Sequence, residues 1–308
     1  MVMDTSDCGD AEAWLAAYDD YLHRMLGAAK ATRVRYLRTA RRFVGACLGS
    51  ASAPWAGLSV AQVTAFIQQE TASKSGHGRA APACAVRSFL RFLAWRGVGP
   101  GGLDRAIPPM RRARHASLPP RLAPAELVRL LDQPGDHPAA WRDRAILLQL
   151  GRLGLRAGEI VALGLDDIDW RAGLLRLPAG KSRRERVLPL SQEVGCALAD
   201  YLWHGRPAHP SRRLFLTATK PPRGFDHTSA VTRIVQRSLR RAGIAVGRLT
   251  AAHMLRHTAA SAMVNRGASF HQVADVLGHR SLATTGIYAK LDLDALAPVA
   301  LPWSGGAQ

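Results

Sequence analysis

Three short stretches near the C-terminal end of the chain decide the fold: HMLRH at 253–257, LGHRSL at 277–282 and TTGIY at 284–288. His253, Arg256 and His257 stand at i, i+3 and i+4, a spacing that puts them on one face of a helix. His279 comes directly after a predicted helix end, and Tyr288 closes the last stretch. We therefore expect two histidines, an arginine and a tyrosine around one cleft, which would be an anion site with a nucleophile beside it.

Residues that start and stop helices frame these stretches. Thr250 is a suitable N-cap for a first helix. Gly267 would end this helix by taking the left-handed conformation. Ser269 is placed to cap a second helix, with Gly278 as its stop. A third helix is predicted from Ser281, and it would deliver Tyr288 on its last turn.

The pattern H-x-L-R-H followed by L-G-H-x-S-L-x-T-T-x-I-Y resembles the signature of the tyrosine recombinases, the phage-integrase family, and in particular its Xer-like bacterial members. GLRAGEIVAL at 154–163 is similar to the first arginine box of that family. Lys181 lies between two strand-like runs, where the family carries its catalytic lysine. The matched motifs run in the family's order from about Arg121 to Pro298.

The resemblance implies a set of catalytic residues: Arg156, Lys181, His253, Arg256, His279 and the nucleophile Tyr288. It implies a supporting role for Glu159, and a reaction that needs no cofactor, metal or ATP. On its own, Lys181 would be one lysine among basic loop residues, with Arg183, Arg184 and Arg186 as substitutes. A metal site is not expected, because the H-x-x-x-H spacing lacks the glutamate of the zinc-protease motif. His257 and His271 are expected to be structural.

The chain is strongly basic, with 42 Lys and Arg against 23 Asp and Glu among 308 residues and a formal net charge of +19. Such an excess favours a polyanionic partner, here double-stranded DNA. A compositional bias toward arginine would give the same charge. The four cysteines are scattered and form no C-x-x-C pair, so neither disulfides nor zinc are indicated. Asp4, Asp7 and Asp10 argue against a signal peptide, and no apolar run is long enough to span a membrane. We expect a cytoplasmic, nucleoid-associated bacterial protein.

Residues 11–97 are predicted to form a helical module, with Thr32 and Ser59 as helix N-caps and a fourth helix around Ala83–Trp95. Its basic helix faces would suit a DNA backbone, although solvated faces of ordinary helices look the same. The module resembles the helical core-binding (SAM-like) domain of the family. The residues predicted to contact DNA are Arg35, Arg38, Arg42, Arg87, Arg91, Arg111, Arg112, Arg233, Arg237 and Arg240.

A glycine- and proline-rich segment at 98–120 is predicted to link this module to a catalytic domain at 121–298, followed by a tail at 299–308. In the catalytic domain, three short strands are predicted at 169–170, 174–177 and 187–190. The expected fold is mainly α with a small antiparallel β-sheet, arranged as a two-domain, C-shaped DNA clamp.

The sequence thus predicts a site-specific recombinase or integrase that serves DNA integration, excision or resolution in a mobile element or chromosome. As the family implies, four protomers would assemble on DNA, alone or with related recombinases. The tail could dock on a partner protomer or fold back on its own domain. Two other functions stay open: DNA relaxation like that of a type IB topoisomerase, and DNA binding without catalysis.

Overall fold

The computed structural model describes residues 11–48, 55–73, 77–108, 120–133, 135, 137–179, 185–245, 251–279 and 285. The chain divides into two compact units, residues 1–116 and 117–308. Each unit has its own buried core. The finer domain bounds drawn from the sequence stay predictions.

The first unit is helical throughout its described residues. Its elements are α1 (Ala11–Arg24), α2 (Lys30–Leu48), a 3₁₀ turn (Trp55–Gly57), α3 (Val60–Ala72), α4 (His77–Trp95) and α5 (Leu103–Ala106). Helices α1, α2 and α4 meet at an aromatic cluster. It consists of Tyr18, Phe43, Phe89 and Phe92, which are fully or almost fully buried. Tyr18 and Phe89 meet edge to face with ring centroids 5.0 Å apart, the arrangement that the aromatic quadrupole favours.

Three predictions for this unit need correction. The second helix begins at Lys30, so Thr32 lies in its first turn and does not cap it. The fourth helix begins at His77, six residues before the predicted start at Ala83, and it continues through Pro82. Part of the predicted linker forms α5, and Leu103 of this helix is buried in the core of the unit.

The second unit is mainly helical and carries one small sheet. Its helices are α6 (Pro124–Leu131), α7 (Pro138–Arg152), α8 (Ala157–Ala162), α9 (Gln192–Asp200), α10 (Thr228–Arg241), α11 (Ala251–Asn265) and α12 (Phe270–Leu277), with a 3₁₀ turn at Leu165–Asp167 and a π-helical turn at Tyr201–Gly205. Helix α7 is buried on nearly every side from Ala145 to Leu150. It is therefore the central helix of this unit.

The sheet has three antiparallel strands in the order β1-β2-β3: β1 (Ile168–Asp169), β2 (Leu174–Leu177) and β3 (Arg186–Pro189). The first and third strands each begin one residue earlier than predicted. In the register of β2 and β3, Leu175 lies opposite Leu188 and both are buried. Leu177 pairs with Arg186 at the end of the hairpin where the two strands are connected, and Lys181 belongs to the connecting segment in the sequence.

Helices α11 and α12 end as their sequences predict. Gly267 follows α11 with a φ of 83°, and Gly278 caps α12 in the left-handed conformation. Ser269 caps the start of α12, because its hydroxyl accepts the N–H of Gln272 while the Gln272 side chain accepts the N–H of Ser269. These caps fix the direction in which the chain leaves α12 toward His279. The predicted N-cap Thr250 and the predicted helix from Ser281 lie outside the described residues.

Candidate active site

Arg156 stands at the N-terminal end of α8, directly before its first residue. The carboxylate of Glu159 accepts both the backbone N–H of Arg156 and its Nη1, each at 2.8 Å. Nη2 of Arg156 donates to the carbonyl oxygen of Gly278 at 2.8 Å. The guanidinium is therefore held on one edge by an acid and on the other by the backbone that follows α12.

Arg256 on α11 holds the same junction from inside the protein. Its side chain is almost completely buried, and Nη1 donates to the carbonyl oxygen of Gly154 at 2.6 Å. Nη2 donates to the carbonyl oxygen of Leu277 at 2.5 Å. Arg156 and Arg256 thus bind consecutive carbonyls at the end of α12, and the structure brings together two arginines that are 100 positions apart in the chain.

His279 follows this junction directly. Its Nδ1 lies 2.8 Å from the hydroxyl of Thr285, a fully buried residue that the sequence analysis did not single out. Burial, and then the charges of Arg256 and Arg156, lower the pKa of His279 to about 4. The imidazole is therefore neutral at pH 7, with Nδ1 turned to Thr285.

The remaining two histidines lie on α11, with their ring centroids 6.2 Å apart. Burial, then His253 and Arg256, lower the pKa of His257 to about 4. Desolvation by the surrounding protein, followed by the charges of Arg256 and Arg156, lowers the pKa of His253 as well. His253 is nevertheless exposed to solvent, as expected of a side chain on the wall of an open cleft. All three histidines therefore lie in a field made positive by the arginines.

Glu159 neutralises part of that field. Burial by itself would raise the pKa of its carboxyl, but the N–H of Arg156 and the charges of Arg186 and Arg156 hold it below the ordinary value. The carboxylate is consequently ionised at neutral pH and bridges two guanidinium groups, since Nη2 of Arg186 donates to it at 2.6 Å. In the sequence, Arg186 stands out only as a substitute for Lys181.

The arginines predicted to contact DNA from the first unit fall into two groups. Arg35 and Arg38 on α2 are exposed. Arg42 pairs with Glu70, and Arg91 pairs with Asp104, each at 2.9 Å. Arg87 donates to the backbone carbonyls of Asp104 and Ile107, so that it fastens α4 to α5 and to the residue that follows α5.

The three predicted contact residues on α10 also differ. Arg233 and Arg240 are exposed, and Nε of Arg240 bonds only weakly within the helix, to the carbonyl of Gln236 at 3.3 Å. Arg237 donates to Asp143, a buried carboxylate that also binds Arg142. Arg237 is exposed as well, with 45% of its side chain accessible, but its charge is already paired with Asp143, so Arg233 and Arg240 are better placed to meet a partner.

Four predicted site residues lie outside the described residues: Lys181, Tyr288, Arg111 and Arg112. Their assignments remain proposals. In the described part of the chain, no group of three or more His, Cys, Asp or Glu side chains is arranged to hold a metal ion. None of the described helices has the length and apolar character needed to cross a bilayer.

Comparison with known sequences gives two kinds of match. The profile of the phage integrase family matches residues 120–294. A protein named integrase/recombinase y4rF from Sinorhizobium fredii is 40% identical over 303 residues, which cover 95% of this chain and 70% of the relative. Tyrosine recombinase XerD of Mycobacterium tuberculosis is 32% identical over 309 residues, covering 94% of this chain and 96% of XerD.

Comparison with solved structures shows the same fold. A structure of the XerH site-specific recombinase bound to its palindromic difH substrate superposes with a TM-score of 0.71 at 18% identity, over 94% of this chain and 84% of that one. A lambda integrase tetramer bound to a Holliday junction gives 0.68 at 16% identity, over 92% and 79%. With a family profile that spans more than half of its length and a relative 40% identical across nearly all of it, the chain belongs to the phage integrase family, the tyrosine recombinases.

Proposed function

We propose that this tyrosine recombinase is a site-specific recombinase or integrase that cuts and rejoins DNA through a 3′-phosphotyrosine on Tyr288. One observation carries the proposal: Arg156, Arg256 and His279 converge on a single junction of the backbone, although they come from three separate motifs. Two guanidinium groups and an imidazole donor at one point form a site for one phosphate group.

The arginines and His279 would hold the non-bridging oxygens of the scissile phosphate. A guanidinium carries five N–H donors in a planar fork, and Arg156 uses two of its guanidinium nitrogens to bind Glu159 and Gly278. Because these bonds fix the plane of the guanidinium before a ligand arrives, little reorganisation accompanies charge development on phosphorus. His279 is neutral, so it would act as a hydrogen-bond donor through the nitrogen that does not face Thr285.

The covalent step exchanges one phosphodiester for another. The oxygen of Tyr288 bonds to phosphorus, the bond from phosphorus to the 5′ oxygen breaks, and the 3′ side of the DNA stays on the tyrosine. Lys181 would give a proton to the leaving 5′ oxygen, and His253 would assist proton transfer near the tyrosine or the phosphate. Attack by the 5′-hydroxyl of a second DNA end reverses the step and rejoins the strands. Because one phosphodiester bond is exchanged for another, the reaction requires neither ATP nor a metal ion.

Double-stranded DNA is the proposed partner, on the bacterial nucleoid. The net charge of +19 supports electrostatic binding along the backbone, to which exposed residues such as Arg38 and Arg233 would contribute. We further propose that four protomers assemble on two sites, as in the lambda integrase tetramer to which the chain is similar. The tail after residue 298 would then contact a neighbouring protomer.

Covalent capture tests the nucleophile. The chain is incubated with a library of nicked duplexes of random sequence. After cleavage near the nick, the short fragment that carries the 5′-hydroxyl diffuses away. The covalent intermediate then accumulates, because the strand cannot be rejoined. We expect an adduct that survives denaturing electrophoresis, and sequencing of the captured DNA gives the target site. The Tyr288→Phe variant should bind this site without forming an adduct, because it lacks the attacking oxygen.

The control is Tyr21→Phe: Tyr21 lies on α1 with its ring 5.4 Å from that of Phe92, and the substitution removes its hydroxyl but keeps the ring. This variant should form the adduct at the wild-type rate. An adduct on Tyr288→Phe would refute the assignment of the nucleophile. Strand exchange between two captured sites supports a recombinase, whereas relaxation without exchange would indicate topoisomerase activity. Binding without any adduct in the wild type would indicate a silent DNA-binding protein.

A further inference from the structure

We infer that Arg186 is a positioning residue, which fixes Arg156 and His279 relative to one another and fastens the β2–β3 hairpin to them. The inference rests on the proposed function, because it assumes that these two side chains bind the scissile phosphate. It deepens that proposal by assigning a role to a residue that lies outside both the first arginine box and the C-terminal motifs.

The first contact of Arg186 is to the acid that holds Arg156. Nη2 of Arg186 and Nη1 of Arg156 donate to the same oxygen, Oε1 of Glu159, at 2.6 and 2.8 Å. The other carboxylate oxygen is occupied by the backbone N–H of Arg156 at 2.8 Å. Without Arg186, the carboxylate would keep its two bonds to Arg156 but lose the one bond that holds it, and with it Arg156, to the hairpin. Arg186 thus fixes Glu159, and Glu159 fixes Arg156.

The second contact is to the end of α12. Nη1 of Arg186 donates to the carbonyl oxygen of Val276, one residue before the carbonyl of Leu277 that binds Arg256. Three arginines therefore bind the consecutive carbonyls of Val276, Leu277 and Gly278. His279 is the next residue, so that its backbone position depends on all three bonds. Arg186 holds the first carbonyl of this series.

The shape of the contact explains why a guanidinium is used. The Arg186 side chain is 9% exposed and the Glu159 side chain 14%, so the two charges are paired away from solvent. One planar fork reaches an acid and a carbonyl in different directions, which the single ammonium of a lysine cannot reproduce with the same geometry. The fit is close, because a Cβ added to Gly278 would lie 2.7 Å from Nε of Arg186.

The backbone of Arg186 belongs to the β2–β3 hairpin. Arg186 is the first residue of β3 and pairs with Leu177, the last residue of β2. The segment that contains Lys181 connects these two residues in the chain. The bonds of Arg186 to Glu159 and Val276 consequently hold the start of β3, where this segment joins the sheet, beside the proposed phosphate site. A cleft of about 380 Å³ beside this anchor is lined by Arg186 and His279, among others, so the start of β3 and the histidine border the same cleft.

The test compares Arg186→Met and Arg186→Lys with Arg176→Met. Arg176 lies on β2 of the same hairpin, but its side chain is 63% exposed and pairs with Asp169 on β1, away from Glu159 and Val276. The substrate is a suicide duplex that carries the site identified by covalent capture, and both its affinity and its single-turnover cleavage rate are measured. We expect Arg186→Met to bind the duplex like the wild type but to cleave about 10²-fold more slowly, the cost of misplacing reacting groups by about 1 Å. Arg176→Met should behave like the wild type.

A second measurement does not depend on cleavage. The titration of His279 is followed by NMR in DNA-free protein, with His279→Asn used to assign the signal. Because the charge of Arg186 is one of those that lower the pKa of His279, this pKa should rise in Arg186→Met and stay unchanged in Arg176→Met. Wild-type protein that forms no adduct would refute the proposed function, whereas this titration would still report on the coupling of Arg186 to His279.

Three results would overturn the inference. The first is wild-type cleavage by Arg186→Met, and the second is a loss of rate that is fully matched by a loss of DNA affinity. The third is wild-type cleavage by Arg186→Lys, since a positive charge without the fork would then be sufficient. If Arg186→Met does not fold, Arg186→Lys carries the test, with slow cleavage at unchanged affinity as the supporting result.

Discussion

Substituting Gly154 by alanine should destabilise the second unit through two separate costs. Gly154 has a φ of 67°, which costs a residue with a Cβ about 1–2 kcal/mol. The added Cβ would also lie 2.6 Å from Cδ2 of Leu277 and 3.4 Å from Cβ of Ala259. Crowding of this kind in a packed core costs about 1–3 kcal/mol. We therefore expect the free energy of unfolding to fall by about 2–5 kcal/mol in total.

Gly173→Ala is the matched control. Gly173 has a φ of 64°, but a Cβ added there meets nothing within 4 Å, so only the backbone cost of about 1–2 kcal/mol applies. Hydrogen exchange of peptides from α7, measured along a denaturant series, reports the stability of this unit without interference from the other. Equal destabilisation by the two substitutions would refute the packing argument. Because the Gly154 carbonyl binds Arg256, cleavage should also slow in Gly154→Ala alone.

Two further predictions concern pH and helix capping. In the folded protein the pKa values of His257 and His279 are about 4, below the ordinary 6.5. As the pH falls, the unfolded chain therefore takes up protons on these histidines before the folded chain does. Stability should consequently fall as the pH drops from 6.5 toward 4, and it should stay level above 6.5. Thermal denaturation of the wild type and of His279→Asn checks this, since the variant should lose less on acidification. Ser269→Ala should destabilise α12 by about 0.5–2 kcal/mol, because Ser269 caps the helix with its hydroxyl. Ser191→Ala should cost less, as Ser191 makes no capping bond through its side chain, and hydrogen exchange in both helices measures the difference.

Local signals predicted the helix ends whose chemistry is contained within a few residues. Ser59 and Ser269 both form the reciprocal cap with a glutamine three residues later, and Gly278 takes the left-handed conformation. Thr32 failed as a cap because the helix starts at Lys30, in a stretch without an acid or a capping side chain to mark its start. The start at His77 was not predicted, because the apolar pattern that indicates α4 lies at Val86–Leu93, and the helix continues through Pro82 toward its N-terminus.

The candidate site was predictable as a set of residue types but not as a network. Motif spacing selected Arg156, Arg256 and His279, and the structure brings these three together. The bonds that hold them could not be predicted, because Arg186 reaches Glu159 across 27 positions and Val276 across 90. Thr285 was overlooked although it belongs to the TTGIY stretch, since nothing local indicates that its hydroxyl turns to His279.

The three arginines of the site share an unusual choice of acceptor, the main-chain oxygens of Val276, Leu277 and Gly278. A carbonyl is present whichever amino acid occupies the position, so point mutations along this edge of α12 cannot delete an acceptor during evolution. Lengthening or shortening the chain there would shift every acceptor at once. Insertions and deletions should consequently be purged from this segment among homologues, whereas substitutions should be limited by the left-handed conformation of Gly278 and the burial of Leu277 and not by the acceptors themselves.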